Sequence, residues 1–302
     1  MAIGPSAEAD AVLVEVNREH GTGYVLAGAL SGGFQGGAWR IVGSDGGSAV
    51  LKWSEAHGSW AQVVLAAQAK VAGARQRGYP TPAWVAAGLT AHGFVYQVQE
   101  FVSGSPAGRL TEPLARQLVD VLEHCAAGHR PDPGGDPRSD WSQFVLSEMS
   151  GGADGLPSRV CELGPGEAAV VERSVALLDR LGPVQLPADD LVHGDLNLGN
   201  VLTDAHGKVA GIIDIEALSA GSRAIDYAAL WHCSADDGDG AGLSLVRAAG
   251  ERAAGLSGFA LCALWNALEY IRFGAGLDGA VGRARAVAAA HRRMDRLEVP
   301  QR

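Results

Sequence analysis

The chain has 302 residues, of which 47% are hydrophobic, so it can bury a substantial core in one large domain or in two lobes. Aspartate and glutamate number 34 against 24 lysines and arginines, and the resulting net charge of −10 argues against nucleic-acid binding, which needs an excess of basic side chains. This acidity suits a cationic ligand, although it equally serves to keep a protein soluble.

The first predicted elements are a helix and three strands that flank a glycine-rich turn. A helical pattern covers residues 7–20, and strands are predicted at 24–30, 38–42 and 48–53. The glycines at 32, 33, 36 and 37 would let backbone amides approach phosphate oxygens. Their spacing differs from the kinase G-x-G-x-x-G pattern, so an ordinary β-hairpin remains an alternative for this segment.

One further strand and several helices are predicted in the middle of the chain. A helix is predicted at 59–77, and the alternating residues 94–102 indicate a strand that leads into a flexible connector at 103–108. Beyond it, helices are predicted at 114–127, 141–149 and 166–181. The order of elements therefore predicts an α+β fold, with an antiparallel sheet first and a mainly helical part after it.

The most informative segment is a polar loop between two short apolar runs. It contains His193, Asp195 and Asn200, and Asp214 follows in the apolar run 209–215. Phosphoryl transfer needs such groups, because one carboxylate faces the attacking hydroxyl while an amide and a second carboxylate hold Mg²⁺ against nucleotide phosphates. Each residue alone would be read as a turn former, but the set favours a site. We predict a strand, this loop and a hairpin, with Asp214 at the end of the second hairpin strand.

The order His193, Gly194, Asp195, four residues and Asn200 resembles the kinase catalytic loop H-R-D-x-x-x-x-N, with glycine in place of arginine. Asp214 stands at the position of the D-F-G aspartate but is followed by isoleucine and glutamate. This His-Gly-Asp form is similar to the aminoglycoside phosphotransferase family of antibiotic kinases, and a basic cyclic peptide of the viomycin–capreomycin type is one possible substrate.

The resemblance implies a two-lobed, protein-kinase-like fold. Residues 1–99 would form an N-terminal nucleotide-binding lobe built on an antiparallel sheet, and residues 100–108 would be the hinge. Residues 109–302 would form a larger, mainly helical lobe that carries catalysis and substrate binding.

The resemblance also implies a nucleotide site in the first lobe, for ATP or GTP. Lys52, on the third strand, stands where the family has its phosphate-contacting lysine. The other implied contacts are the glycine-rich turn and the backbone at the hinge, namely Gly32, Gly33, Phe34, Gln35, Gly36, Glu100, Phe101 and Val102. The family pairs its lysine with a glutamate on the next helix, but Gln68 occupies that position here. Either another acid such as Glu55 is the partner, or Lys52 is held more loosely.

Roles for the remaining residues follow from the same resemblance. Asp195 would be the catalytic residue, and Asn200 and Asp214 would bind Mg²⁺. His193 and Asp226 would be structural, both hydrogen-bonding the backbone of the loop. Glu216 would either touch the metal or face solvent. Acids downstream would hold a cationic substrate unless they are merely solvated surface groups; these are Asp236, Asp237, Asp239 and Glu269.

The sequence therefore predicts an ATP-dependent O-phosphotransferase that modifies a small cationic antibiotic, an aminoglycoside or a basic cyclic peptide, and confers resistance. Macrolides remain possible acceptors. The alternatives are a metabolic kinase of the choline or homoserine type and a catalytically silent kinase-like binding protein. The sequence gives no indication of the phosphorylated hydroxyl or of the oligomeric state.

A cytoplasmic location is expected, without nucleic-acid or membrane partners. Residues 1–10 lack the features of a signal peptide, and the apolar segment 258–271 is too short to span a bilayer. The cysteines form no C-x-x-C pair, so we expect reduced, buried thiols and no zinc site; they are Cys125, Cys161, Cys233 and Cys262.

Overall fold

The computed structural model describes residues 5–30, 37–130, 136–234, 240–277 and 279–298. In chain order, the first elements are α1 (Pro5–His20), β1 (Val25–Leu30), β2 (Ala38–Val42), β3 (Ser48–Glu55), α2 (Trp60–Gln76), β4 (Trp84–Leu89), β5 (Phe94–Glu100) and β6 (Ser105–Pro106). They are followed by α3 (Glu112–His124), α4 (Trp141–Ser150), α5 (Leu156–Cys161), α6 (Pro165–Leu181), β7 (Asp190–Val192), β8 (Val201–Thr203), β9 (Val209–Ile212), β10 (Ser219–Gly221), α7 (Ala224–Ser234), α8 (Gly240–Leu277) and α9 (Gly279–Glu298).

The chain divides into two compact units. The first contains residues 1–107 and 199–218, and the second contains residues 108–198 and 219–302. Our sequence-based division placed 199–218 with the helical part. The segment instead groups with the first unit because β8 pairs with β6 and β9, and the amide of Ile212 donates to the carbonyl of Pro80.

An antiparallel sheet of order β1-β2-β3-β5-β4 is the centre of the first unit. The apolar face of α1 covers one side of this sheet, where Val12 and Val16 join a buried cluster with Leu51 and Tyr96. In the register of β3 and β5, Lys52 lies directly opposite Gln97. Their side chains therefore project from the same face of the sheet.

The β8–β9 hairpin differs from the sequence prediction at its end. The apolar run 209–215 predicts one strand, but β9 ends at Ile212. Asp214 has a positive φ of 66°, which is incompatible with an extended strand and is tolerated by aspartate better than by most residues. Asp214 therefore lies in a bend two residues beyond the strand and not at its end.

Packed helices form most of the second unit. Nearly every residue of α7 is buried, and α8 runs beside it. A break at Gly255, where φ is 70°, divides α8 into two helical segments. The short strands β7 and β10 pair antiparallel, with Leu191 opposite Ala220, and β7 leads directly into the polar loop.

The cysteines agree only in part with the sequence prediction. All four lie in the described residues and none forms a disulfide, and Cys125 and Cys262 are buried as expected. Cys161 and Cys233 are exposed, so the prediction of uniformly buried thiols was wrong. Among the described helices, none combines the length and the apolar composition that a membrane crossing needs.

Candidate active site

Lys52 of β3 contacts two carboxylates from the segment after β9. Its Nζ donates to Asp214 Oδ1 at 2.5 Å and to Glu216 Oε1 at 3.3 Å. Burial by itself lowers the pKa of Lys52, but the charges of Glu216 and Asp214 and the hydrogen bonds to both raise that pKa above its ordinary value. The ammonium group of Lys52 therefore stays protonated at neutral pH.

Gln68 and Glu55 are bonded to other groups and not to this lysine. Gln68 donates from its side-chain amide to the carbonyl of Trp84 at 3.2 Å, and Glu55 is paired with His57. Another acid does replace the helix glutamate as expected, but it is Glu216, together with Asp214, and not Glu55. The alternative of a loosely held lysine was wrong. Glu216 is also not solvent-facing, since its side chain is 11% exposed.

Asn200 and Asp214 flank the open end of the β8–β9 hairpin. Val201 pairs with Ile212, and beyond that pair the amide of Ile213 donates to the carbonyl of Asn200 at 2.9 Å. Asn200 is buried, whereas the Asp214 side chain is half exposed. The hairpin register thus brings the residues predicted to hold the metal to one end of the same two strands.

The donor set suits Mg²⁺ better than a metal that needs a full protein cage. In the parts of the chain that the structure describes, no three or more His, Cys, Asp or Glu side chains are grouped to hold a metal. Mg²⁺ is commonly bound through one or two carboxylates together with substrate phosphates and water. One carboxylate and one amide oxygen, from Asp214 and Asn200, fit that requirement.

The second unit carries Asp195 on a tightly hydrogen-bonded loop. The Nδ1 of the buried His193 accepts from the Asp195 amide at 3.2 Å, and Leu196 is fully buried. The carboxylate of Asp195 lies at the exposed surface and accepts from the Asn197 side chain at 3.0 Å. The loop backbone is therefore fixed while the carboxylate stays accessible.

Asp226 of α7 fixes this loop by accepting hydrogen bonds from its backbone. Its two carboxylate oxygens accept from the amides of His193 at 2.8 Å and Gly194 at 2.9 Å, as expected for its predicted structural role. Burial raises the pKa of Asp226 to about 6, against the opposing effects of His193 and of the two backbone bonds, and the charge of Asp195 adds to the rise.

Gly194 packs against Trp141, which belongs to a cluster of aromatic side chains. Its φ is 85°, and a Cβ at this position would lie less than 3 Å from three ring atoms of Trp141, which is a severe clash. That ring is itself held by edge-to-face contacts with Phe144 and Trp265, at centroid distances of 5.6 and 6.1 Å. The replacement of the kinase arginine by glycine at this position therefore allows the loop to lie directly on Trp141.

Substituting Gly194→Ala is expected to lower the free energy of unfolding by about 2–4 kcal/mol, from the strained φ and from overpacking against Trp141. Gly46→Ala is the matched control, because Gly46 has a similar φ of 81° but nothing within 4 Å of its added Cβ. It should cost only about 1 kcal/mol. Urea unfolding of both variants measures the difference, and equal losses would show that the contact with Trp141 is unimportant.

The predicted hinge residues are tied to the first unit. Glu100 Oε2 accepts from the Ala83 amide at 3.2 Å, and the Phe101 ring lies 4.7 Å from the guanidinium carbon of Arg40. Val102 packs against Gly211 of β9, where an added Cβ would lie 3.0 Å from the valine. The predicted contact of this backbone with adenine stays a prediction.

The remaining predicted site residues come from the glycine-rich turn, from the acidic loop and from α8. Two groups lie outside the described residues: the glycine-rich group of Gly32, Gly33, Phe34, Gln35 and Gly36, and the acidic group of Asp236, Asp237 and Asp239. Glu269 lies on α8 and forms an ion pair with Arg272 at 2.6 Å, so its charge is already balanced. Its assignment to the substrate stays a prediction.

Sequence reasoning missed three contributors to these two clusters. Asn197 contacts the carboxylate of Asp195, Trp141 supports Gly194, and Gln97 donates to Glu216. Only Asn197 was visible as a polar residue inside the loop. The other two depend on strand register and on packing between distant segments.

The fold and these clusters define a kinase-like phosphotransferase: a strand lysine paired with the aspartate after a hairpin, and a separate loop aspartate. The chain belongs to the phosphotransferase enzyme family, whose pattern it matches over residues 27–297. No curated protein matches it in sequence.

Solved structures similar to this chain confirm the predicted fold class. A thermostable mutant of aminoglycoside phosphotransferase APH(4)-Ia, in ternary complex with ADP and hygromycin B, has a TM-score of 0.63 and 16% identity, covering 95% of this chain and 98% of that one. The GDP complex of wild-type aminoglycoside 2'-phosphotransferase-IIIa has a TM-score of 0.63 and 14% identity, with coverages of 94% and 98%. Macrolide 2'-phosphotransferase type I has a TM-score of 0.60 and 19% identity, with coverages of 97% and 98%.

Proposed function

We propose that the protein is an ATP-dependent O-phosphotransferase, with GTP as the alternative donor, that modifies a hydroxyl of a small cationic antibiotic and thereby confers resistance. The observation that carries the proposal is the contact of Lys52 with Asp214, a strand lysine held at the predicted metal ligand. Family membership supports the reaction class. The net charge of −10 favours a cationic acceptor.

In this mechanism each residue has one role. Asp195 orients the acceptor hydroxyl and takes its proton as the new phosphate ester forms. Lys52 neutralises the phosphates that are not transferred. Asn200 and Asp214 would hold Mg²⁺, which when bound offsets negative charge on the phosphate oxygens. His193 and Asp226 keep the loop in place and do not touch the substrate.

The ligands named for similar structures support the choice of substrates. One of these structures holds ADP with hygromycin B, and another holds GDP. A third is a macrolide phosphotransferase, so a less polar acceptor also belongs among those tested. We further propose a cytoplasmic location, where the nucleoside triphosphate donor is abundant.

A screen for release of ADP tests the proposal. The purified protein is incubated with ATP and Mg²⁺ against aminoglycosides, basic cyclic peptides, macrolides and amino alcohols, and mass spectrometry detects an added phosphate. We expect phosphorylation of a cationic antibiotic and at least about 100-fold less product from an Asp195→Asn control. Turnover of an amino alcohol alone would instead establish a metabolic kinase, and nucleotide binding without any product would establish a silent binding protein.

A further inference from the structure

Lys52 faces two carboxylates, and the two have different surroundings. Asp214 is half exposed and lies beside Asn200 at the end of the hairpin, whereas Glu216 is 11% exposed. A metal ion held by Asp214 would draw on the same carboxylate that Lys52 now contacts. Glu216 is then the remaining counter-charge for the lysine.

Two features of the fold keep Glu216 in place. It lies in the turn 215–218, where the Leu218 amide donates to the Ile215 carbonyl at 3.1 Å and both of these side chains are buried. The side-chain amide of Gln97 donates to the same Oε1 that accepts from Lys52. The carboxylate is therefore fixed both through its backbone and at its tip.

The sheet register explains why Gln97 can do this. Lys52 and Gln97 are opposite one another on β3 and β5, so their Cβ atoms lie about 4.5–5.5 Å apart on one face. Gln97 is 3% exposed, and its Nε2 reaches the carboxylate that its cross-strand neighbour also reaches. Lys52 and Gln97 thus both donate to one oxygen of Glu216, whereas Gln68 donates to the carbonyl of Trp84.

We propose that Glu216 is the positioning residue for Lys52, replacing the helix glutamate of the wider family, and that Gln97 fixes Glu216. The inference rests on the proposed function in one respect, that Lys52 contacts nucleotide phosphates. It assigns Glu216 to the lysine and not to the metal. The carboxylate acts through Lys52, so its removal matters only while the lysine is present.

A double-mutant cycle on nucleotide affinity tests this assignment. Binding of a fluorescent ATP analogue is measured with Mg²⁺ present for wild type, Glu216→Gln, Lys52→Met and the double variant. Glu216→Gln should weaken binding by about tenfold, as expected for loss of a largely desolvated charged hydrogen bond. In the Lys52→Met background the same substitution should change the affinity by less than about twofold.

Two further variants separate positioning from general damage. Gln97→Leu fills the same buried space but removes the amide that donates to Glu216. It should weaken binding as Glu216→Gln does, but by a smaller factor. Glu55→Gln removes the same charge from the end of β3, where Glu55 is paired with His57, and should leave affinity unchanged. Thermal melting of each variant confirms that it is folded.

The outcomes distinguish this inference from the proposed function. An equal loss of affinity with and without Lys52 overturns the positioning role, because a metal ligand or a purely structural residue would act whether or not the lysine is present. Binding is measured without an acceptor, so the cycle gives its result even if no acceptor is phosphorylated. If no acceptor is phosphorylated, the proposed reaction is overturned. The role of Glu216 is still decided by the nucleotide affinities.

Discussion

Replacing Asp195 by asparagine is expected to lower kcat by about 10²- to 10⁴-fold, the range that general acid–base groups contribute. Asparagine has almost the same shape, and its side-chain oxygen can still accept the hydrogen bond from Asn197. It cannot take a proton from the acceptor hydroxyl. Steady-state turnover with saturating ATP and the acceptor found in the screen measures the loss.

The fold and nucleotide binding should survive this substitution. Asp195 is exposed, and the loop is fixed instead by its backbone, by His193 and by Asp226. Affinity for a fluorescent ATP analogue and the melting temperature should therefore match those of wild type. Asn197→Ala is the matched control, since it removes the neighbour of the carboxylate but leaves the base, and should cost much less turnover. Wild-type kcat in Asp195→Asn would exclude Asp195 as the base.

The predicted elements agree with the structure where local patterns decide them. The helix predicted at 59–77 appears as α2, and the strand predicted at 38–42 appears as β2. In contrast, the strand prediction for 209–215 failed because apolar residues continue through a bend that the positive φ of Asp214 imposes. Apolar periodicity does not report such a change of backbone direction.

The partner of Lys52 could not be predicted, because it depends on two separate features of the fold, a strand register and a turn. The β3–β5 register places Gln97 beside the lysine, and the turn after Asp214 brings Glu216 to both. In the sequence, Glu216 is 164 positions from Lys52 and only two from Asp214. Sequence reasoning therefore considered it only as a metal ligand or a surface acid.

The contact between Gly194 and Trp141 could not be predicted for a similar reason. Trp141 begins α4, more than 50 residues before the loop, and its packing depends on how α4 and β10 meet. The motif identifies Gly194 as a departure from the kinase arginine but not what occupies the space. The sequence motif identifies the residue types in the loop, but it does not identify the distant side chains that pack against the loop.

Replacing Asp226 by alanine is expected to lower the free energy of unfolding by about 2–5 kcal/mol, because two amide groups of the loop lose their acceptor in a buried place. The loop should then lose its fixed position, and kcat should fall even though Asp195 is intact. Urea unfolding and steady-state turnover measure the two effects.

The matched control for this substitution is Asp204→Ala in the β8–β9 turn. Asp204 also accepts from two backbone amides, those of His206 at 2.8 Å and Lys208 at 2.9 Å, but it is exposed. Water can replace its bonds, so the loss of stability should be clearly smaller. Equal losses in the two variants would show that burial of Asp226 contributes nothing to its importance.

The pH dependence of stability gives a second test of Asp226. Its native pKa of about 6 lies above the ordinary value of 3.8, so between these values the native state binds a proton that the unfolded state has released. Stability from this group is therefore greatest at low pH and declines as pH rises through that window. The unfolding free energy of wild type relative to Asp226→Asn should fall by about 2 to 3 kcal/mol between pH 4 and pH 7, since each pKa unit corresponds to about 1.4 kcal/mol. Because both proteins share every other titrating group, the difference isolates Asp226, and a flat or rising difference would show that the buried carboxylate is charged throughout.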